Sequence, residues 1–391
     1  MSPRSRRRAK RRKRRTKPRK QKRQPLRKRV NNMNIQPFFQ EVNERFKQSR
    51  TTFVIGAVLL VAISAGLFYL IITGRTRGHR MPITPPIVTT TSTVSLVERA
   101  LDGVLVPEGE QDLATRAVMV ENFTSARPLS GPAKANVAIE APVEGGITRL
   151  MLLFDTTSTV AEIGPVRSAR PYFVEWADGW NAGYFHVGGS PEALALIRHR
   201  GLAFMDIDEM TNGGDFWRDK HRPAPHHIYT SSELMHQAIN EVEIRRPGAN
   251  WHFQDMVTST KRGGVTLIKI PYGGSYNVAW AYDKDRGVYV RSQAGKPQLD
   301  RDGTPVESEN VVVIKTEAQV LDSVGRLKVR TLGSGEALIY RDGNRYAARW
   351  RRSQQEPMHF ESTDGSEILL TRGRTWIQVT TDDLMFAGLS K

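Results

Sequence analysis

Residues 53–72, FVIGAVLLVAISAGLFYLII, run for 20 positions without a charged side chain. A helix of ~20 residues is ~30 Å long, the thickness of a hydrocarbon core. Helices buried in soluble cores are rarely so long or so free of charge. The run predicts one membrane-spanning helix, and the rest of the chain must be organised around that crossing. A cleaved signal peptide does not fit. A long basic segment precedes the run, and TGRTRGHRM after it has no small-x-small cleavage pattern.

The location of charge sets the direction of crossing. The formal charge is +18, but residues 1–50 hold 21 Lys and Arg against 2 Asp and Glu, which is +19 and leaves −1 for the remainder. Beyond the span only Arg75, Arg77 and Arg80 lie nearby. The positive-inside rule therefore predicts a cytoplasmic N-terminus, with everything after residue 74 outside. The tail 1–50 is too charged to fold alone and reads as a topology determinant touching anionic lipid headgroups. It lacks interleaved aromatics that would stack on bases, so no specific nucleic-acid partner is expected. Residues 75–111 include MPITPPIVTTTSTV and read as a Pro/Thr-rich spacer. The chain has no cysteine. That excludes disulfides, Cys-ligated zinc, iron–sulfur clusters and thiol nucleophiles.

Two folded segments follow. In the first, 112–246, strand and helix signals alternate. ANVAIEA (135–141), TRLMLLFD (148–155) and AGYFHV (182–187) read as strands. SARPYFVEWADGW (168–180) and SSELMHQAINEVE (231–243) read as helices. The clearest helix is SPEALALIRHRG, with Ser190 to cap, Pro191 at the first position, Glu192 for the dipole and Gly201 to end it. The pattern predicts a mixed α/β domain, with parallel pairing in part of its sheet. Were those strands parallel, the loops 156–168 and 187–190 would leave one edge of the sheet, where α/β folds bind ligands. The second segment, 251–385, changes to nine short alternating strands with turns such as RDG and TDG. It predicts a mostly antiparallel β domain, a sandwich or barrel.

Candidate site residues cluster in the first segment. Arg167 and Arg170 in GPVRSARPYF stand where a helix begins, a place that disfavours cations. They read either as partners of an anion or as partners of structural carboxylates such as Glu140 or Glu144. Gly188, Gly189 and Ser190 would offer backbone donors at a helix start, and Arg149 and Arg218 are further candidates for the same crevice. For acid–base chemistry the candidates are Glu144, or Glu140, with His186 or His227. His221, His226 and His227 share the loop WRDKHRPAPHHIY. Their spacing matches no standard zinc motif, so neither a metal nor another cofactor is expected. No Ser–His–Asp set is evident from the sequence. Trp280, Tyr282, Trp350 and Trp376 read as packing residues, with a carbohydrate-stacking surface as the alternative.

The stretches IGPVRSARPYFVEWA, HVGGSPEAL, FWRDKHRPAPHHIYTS, WAYDKDRGVYVRSQAGKP and GRTWIQV resemble the YerB-type lipoproteins, bacterial envelope proteins defined by a domain of unknown function. The resemblance spans about 112–385 and implies an N-terminal mixed α/β part with a C-terminal β-rich part. It carries over no catalytic residue. This chain departs from the family's anchor, since typical members carry a signal peptide ending in a lipidated cysteine.

Three functions remain open at this level. One is a single-pass, extracytoplasmic envelope protein that binds an anionic cell-wall ligand, a glycan or stem peptide, through the Arg/Gly crevice. The second is a glycan-cleaving enzyme using the Glu and His residues. The third is a scaffold for a membrane protein partner.

Overall fold

In Thr148–Phe154 (TRLMLLF) every residue is buried. Leu150, Leu152 and Phe154 face one apolar cluster, and Met151 and Leu153 face another. A strand apolar on both faces belongs in the middle of a covered sheet, and the computed structural model places it there. It describes residues 95–111, 114–240 and 251–382, with single positions at 65, 386 and 389.

Ten strands form the main sheet. In chain order they are β1 (Arg116–Val120), β2 (Val137–Pro142), β3 (Thr148–Phe154), β4 (Gly183–His186), β5 (Asp206–Asp208), β6 (Asn310–Lys315), β7 (Gly333–Arg341), β8 (Asn344–Arg352), β9 (His359–Ser362) and β10 (Thr375–Thr380). Across the sheet the order is β9-β8-β7-β6-β10-β2-β3-β1-β4-β5. Antiparallel pairing sets Ile139 opposite Met151 in β2–β3, and parallel pairing sets Ala138 opposite Trp376 in β2–β10. Parallel pairing also joins β6 to β10, β1 to β4 and β4 to β5.

Helices α1 (Pro171–Gly179) and α2 (Pro191–His199) contribute Phe173, Trp176, Ala193 and Ile197 to the cluster on one face. On the other face lie Met235 of helix α3 (Ser232–Asn240) and a second sheet built on Leu267–Ile270, Val278–Asp283 and Val288–Gln293. Ser190 caps α2 as its sequence predicts, its hydroxyl accepting from Ala193 N at 3.2 Å. Gly201, just beyond that helix, adopts φ +67°.

Several expectations are revised. The described residues from 95 onward form one compact unit, and the β-rich segment does not close into a sandwich or barrel of its own. Five of its strands extend the sheet begun by the first segment, because NVVVIK and TWIQVT are buried on both faces and need neighbours on both sides. Strand β3 runs antiparallel to β1, while β4 runs parallel to β1. The chain therefore leaves β3 and β4 at opposite ends of the sheet, not at one edge. The folded unit also begins before residue 112. Leu96–Glu98 pairs with Leu105–Pro107, and Arg99 bridges Asp102 and Asp155. Among the described residues no helix is long and apolar enough to cross a membrane. Apart from the single position 65, the span at 53–72, the tail and the spacer up to residue 94 lie outside the described residues.

Candidate functional site

The segment between β3 and α1 doubles back to the ends of β1 and β4 and lies between them. Val166 bridges Val120, Ala169 bridges Gly189, Arg167 N donates to Met119 O at 2.9 Å, and Val187 N donates to Arg167 O at 3.2 Å. Arg167 is thus extended backbone ahead of the helix, and only Arg170 stands at the helix start, as the N-cap of α1. This removes most of the conflict between two cations and one helix dipole.

The segment gathers three guanidinium groups. Arg170 grips Glu144 with two nitrogens, at 2.5 and 3.0 Å, and donates to Ala169 O at 2.7 Å. Burial pulls the Glu144 carboxyl up, but the hydrogen bond and charge of Arg170 outweigh it and hold the pKa below the usual carboxylate range. Arg167 Nε lies 2.5 Å from Glu121 Oε2. Its N–H is not aimed at that oxygen, so the contact is one of charges. Arg149, on β3, makes no ion pair among the described residues, although the charges of Glu121 and Glu144 act on it. It is 4% exposed, donates to Ser168 O at 2.8 Å, and its Nε is buried without a partner. Desolvation, with the neighbouring Arg170 and Arg167 charges, draws its pKa down to about 10 against the pull of Glu121. Three cations thus face two carboxylates.

The other expected donors are engaged. Gly188 N donates to Asp208 Oδ1 at 2.7 Å, and Ser190 N donates to Ala169 O at 3.2 Å. A side chain at Gly189 would press on Leu194 and Ala169, so that glycine serves packing. Arg218 is paired with Glu209.

The acid–base candidates are not brought together. Glu140 is wholly buried 2.6 Å from Arg291, which stacks on Trp376 and Trp280. That arrangement leaves those tryptophans no carbohydrate-stacking face. His186 is fully buried, with Nε2 2.6 Å from Asp206 and Nδ1 2.8 Å from Gly188 O. His227 Nδ1 is buried without a partner. Among the described residues no hydrogen bond or ion pair joins Glu144 to either histidine.

The structure assembles a group that sequence spacing could not reveal. His226 Nε2 lies 3.0 Å from Ser125 Oγ, although 101 residues separate them, and His226 Nδ1 lies 3.7 Å from Glu121 Oε2. The Phe123 ring stacks on the imidazole at 5.7 Å and 11°. Arg222 fastens the histidine loop to Ala126 O and Pro128 O at 2.5 and 2.7 Å. The histidine-rich loop itself was the only signal in the sequence.

Residues 101–245 match the model "Protein of unknown function (DUF3048) N-terminal domain", and residues 268–377 match its C-terminal counterpart. "Putative lipoprotein YerB" of Bacillus subtilis (strain 168) is 30% identical over 280 residues, covering 70% of this chain and 83% of that protein. The chain belongs to the YerB family. The crystal structure of Bacillus subtilis YerB matches with a TM-score of 0.66 and 28% identity, covering 74% of this chain and 98% of that one. The YerB fold is therefore shared, a mixture of few helices and large β-sheets.

Proposed function

We propose that this YerB-family protein is a single-pass, membrane-anchored envelope protein whose globular unit, outside the cytoplasm, binds a carboxylate-bearing cell-wall ligand. The anchor is the apolar run 53–72, oriented by the basic tail. A relative named as a lipoprotein supports attachment to a membrane. One observation carries the binding reading, namely the buried Arg149, which has no ion-paired carboxylate among the described residues and an unpartnered Nε. A buried cation lacking a counter-charge is costly, and one added anion would bring the cluster to balance. Gly188, nearby in the chain path, has open space where a side chain would stand.

The test is retention of the detergent-solubilised full chain on purified peptidoglycan, with wild type beside Arg149→Gln. The expected result is retention of the wild type and at least about tenfold weaker retention of the variant, for the loss of one charge-assisted contact. Equal retention of the two would refute this reading. The internal pairing of Arg167, Arg170 and Arg218 favours a second reading, a scaffold for an envelope protein. In that case neither form would be retained. The glycan-cleaving reading has no comparable support, because Glu140 and Glu144 are each held by an arginine.

A further inference from the structure

The geometry points to a second activity beside the arginine cluster, with which it shares Glu121: Ser125, His226 and Glu121 form a nucleophile, base and positioning carboxylate for hydrolysis of carboxylic esters. Nucleophilic serine chemistry requires a hydroxyl open to substrate, an imidazole in hydrogen-bond reach and a third group that fixes its tautomer. Ser125 is exposed, and its Oγ has His226 Nε2 at 3.0 Å. His226 is buried, and its Nδ1 is unpartnered, with Glu121 Oε2 at 3.7 Å. That gap is longer than a hydrogen bond, as triads without substrate often are. Glu121 is itself fixed, with Oε1 accepting from Asn122 N and Phe123 N at 3.2 Å each.

The charges around the ring suit a base. Burial lowers the His226 pKa, Glu121 opposes this, and Arg167, Arg222 and His227 add to the lowering. The imidazole is therefore neutral at neutral pH and able to accept a proton. Loop fastening does not by itself require the serine, since Arg222 already ties the two loops. Thr124, the residue before Ser125, lines a cavity of about 450 Å³ whose wall mixes apolar Pro128, Leu129 and Leu299 with polar Arg127, Gln293 and Lys296. Its apolar part suits a short acyl group, and Arg127 and Lys296 would favour a substrate that also carries an anionic group.

The chemistry balances with water as the only co-reactant. Ser125 Oγ adds to the ester carbonyl carbon while its proton passes to His226 Nε2. The bond from carbon to the alkoxy oxygen breaks, and the departing oxygen takes that proton as an alcohol. Water then adds to the acyl-serine, giving a proton to Nε2. Ser125 Oγ leaves with the proton, and a carboxylic acid is released.

The full chain in detergent is treated with a fluorophosphonate probe and mapped by peptide mass spectrometry, and p-nitrophenyl butyrate hydrolysis is followed in parallel. Expected are a label on Ser125 and turnover that falls ~10²-fold or more in Ser125→Ala and His226→Gln. Glu121→Gln removes a negative neighbour, so the acid limb of its pH profile moves to lower pH. A limb that stays in place would show that the titrating base is not the imidazole beside Glu121. An unlabelled Ser125, or turnover retained in Ser125→Ala, overturns the proposal. Because Ser125→Ala leaves Arg149, Arg167 and Arg170 untouched, peptidoglycan retention by that variant reports on the ligand site separately.

Discussion

Asp300 offers a quantitative check on the interior. It is 4% exposed, and its Oδ2 accepts from Gly131 N and Ala133 N at 3.0 and 3.2 Å. Its Oδ1 is buried without a partner. Desolvation dominates the two backbone donors and raises the pKa to about 7, with Asp302 adding to the rise and Lys134 opposing it. An unfolded aspartate titrates near ~3.9. Below about pH 4 the group is protonated in both states and has no effect on stability. As pH rises, the unfolded chain gives up the proton while the folded chain keeps it, so stability is lost progressively until about pH 7. The full cost above that pH is at most about 4 kcal/mol. Asp300→Asn keeps an acceptor for the two backbone donors and removes the charge. The variant is therefore expected to match wild type at about pH 4 and to exceed it by up to about 4 kcal/mol at about pH 8. Urea unfolding of the full chain, read by tryptophan fluorescence, gives both values. Using the difference between variant and wild type cancels the other carboxylates. A constant difference across that range, or a variant weaker at pH 8, would refute the reasoning.

Two further stability measurements use the same assay. Glu140→Gln strands Arg291 in the interior and is expected to cost about 3–5 kcal/mol, whereas Glu140→Gln with Arg291→Met together costs less than the single change. Ser190→Ala removes the cap of α2 and is expected to cost about 1 kcal/mol, with no loss of cooperativity in the unfolding curve.

Local structure was the legible part. The α2 helix could be placed from Ser190, Pro191 and Gly201 because capping depends on neighbours within a turn. Strands such as TRLMLLF and TWIQVT were visible as apolar runs, but their partners were not, since periodicity carries no information on which distant strand lies alongside. RAVMV, the strand between β3 and β4, went unread because its five residues give too short a signal. The arginine cluster was half legible. Arg167 and Arg170 stood out as charges at an awkward place, and Glu144 was named as a possible partner. Glu121 was not, because the fold alone brings it to Arg167. The pairing of Ser125 with His226 was beyond sequence reasoning for the same reason, since 101 residues separate them.

Strand β10 lies between β6 and β2, parallel to both, and comes from the last fifteen or so residues of the described unit. Until Thr375–Thr380 is in place, the two halves of the sheet each end in an open, apolar edge. Such edges invite pairing with other chains. Assembly therefore cannot proceed one segment at a time behind the emerging polypeptide. Closing the sheet waits on a strand far along the chain from β2 and is slow because the joined strands are so distant in sequence. Loss of Thr375–Thr380 would open an edge on β2 in the first segment as well as on β6 in the second.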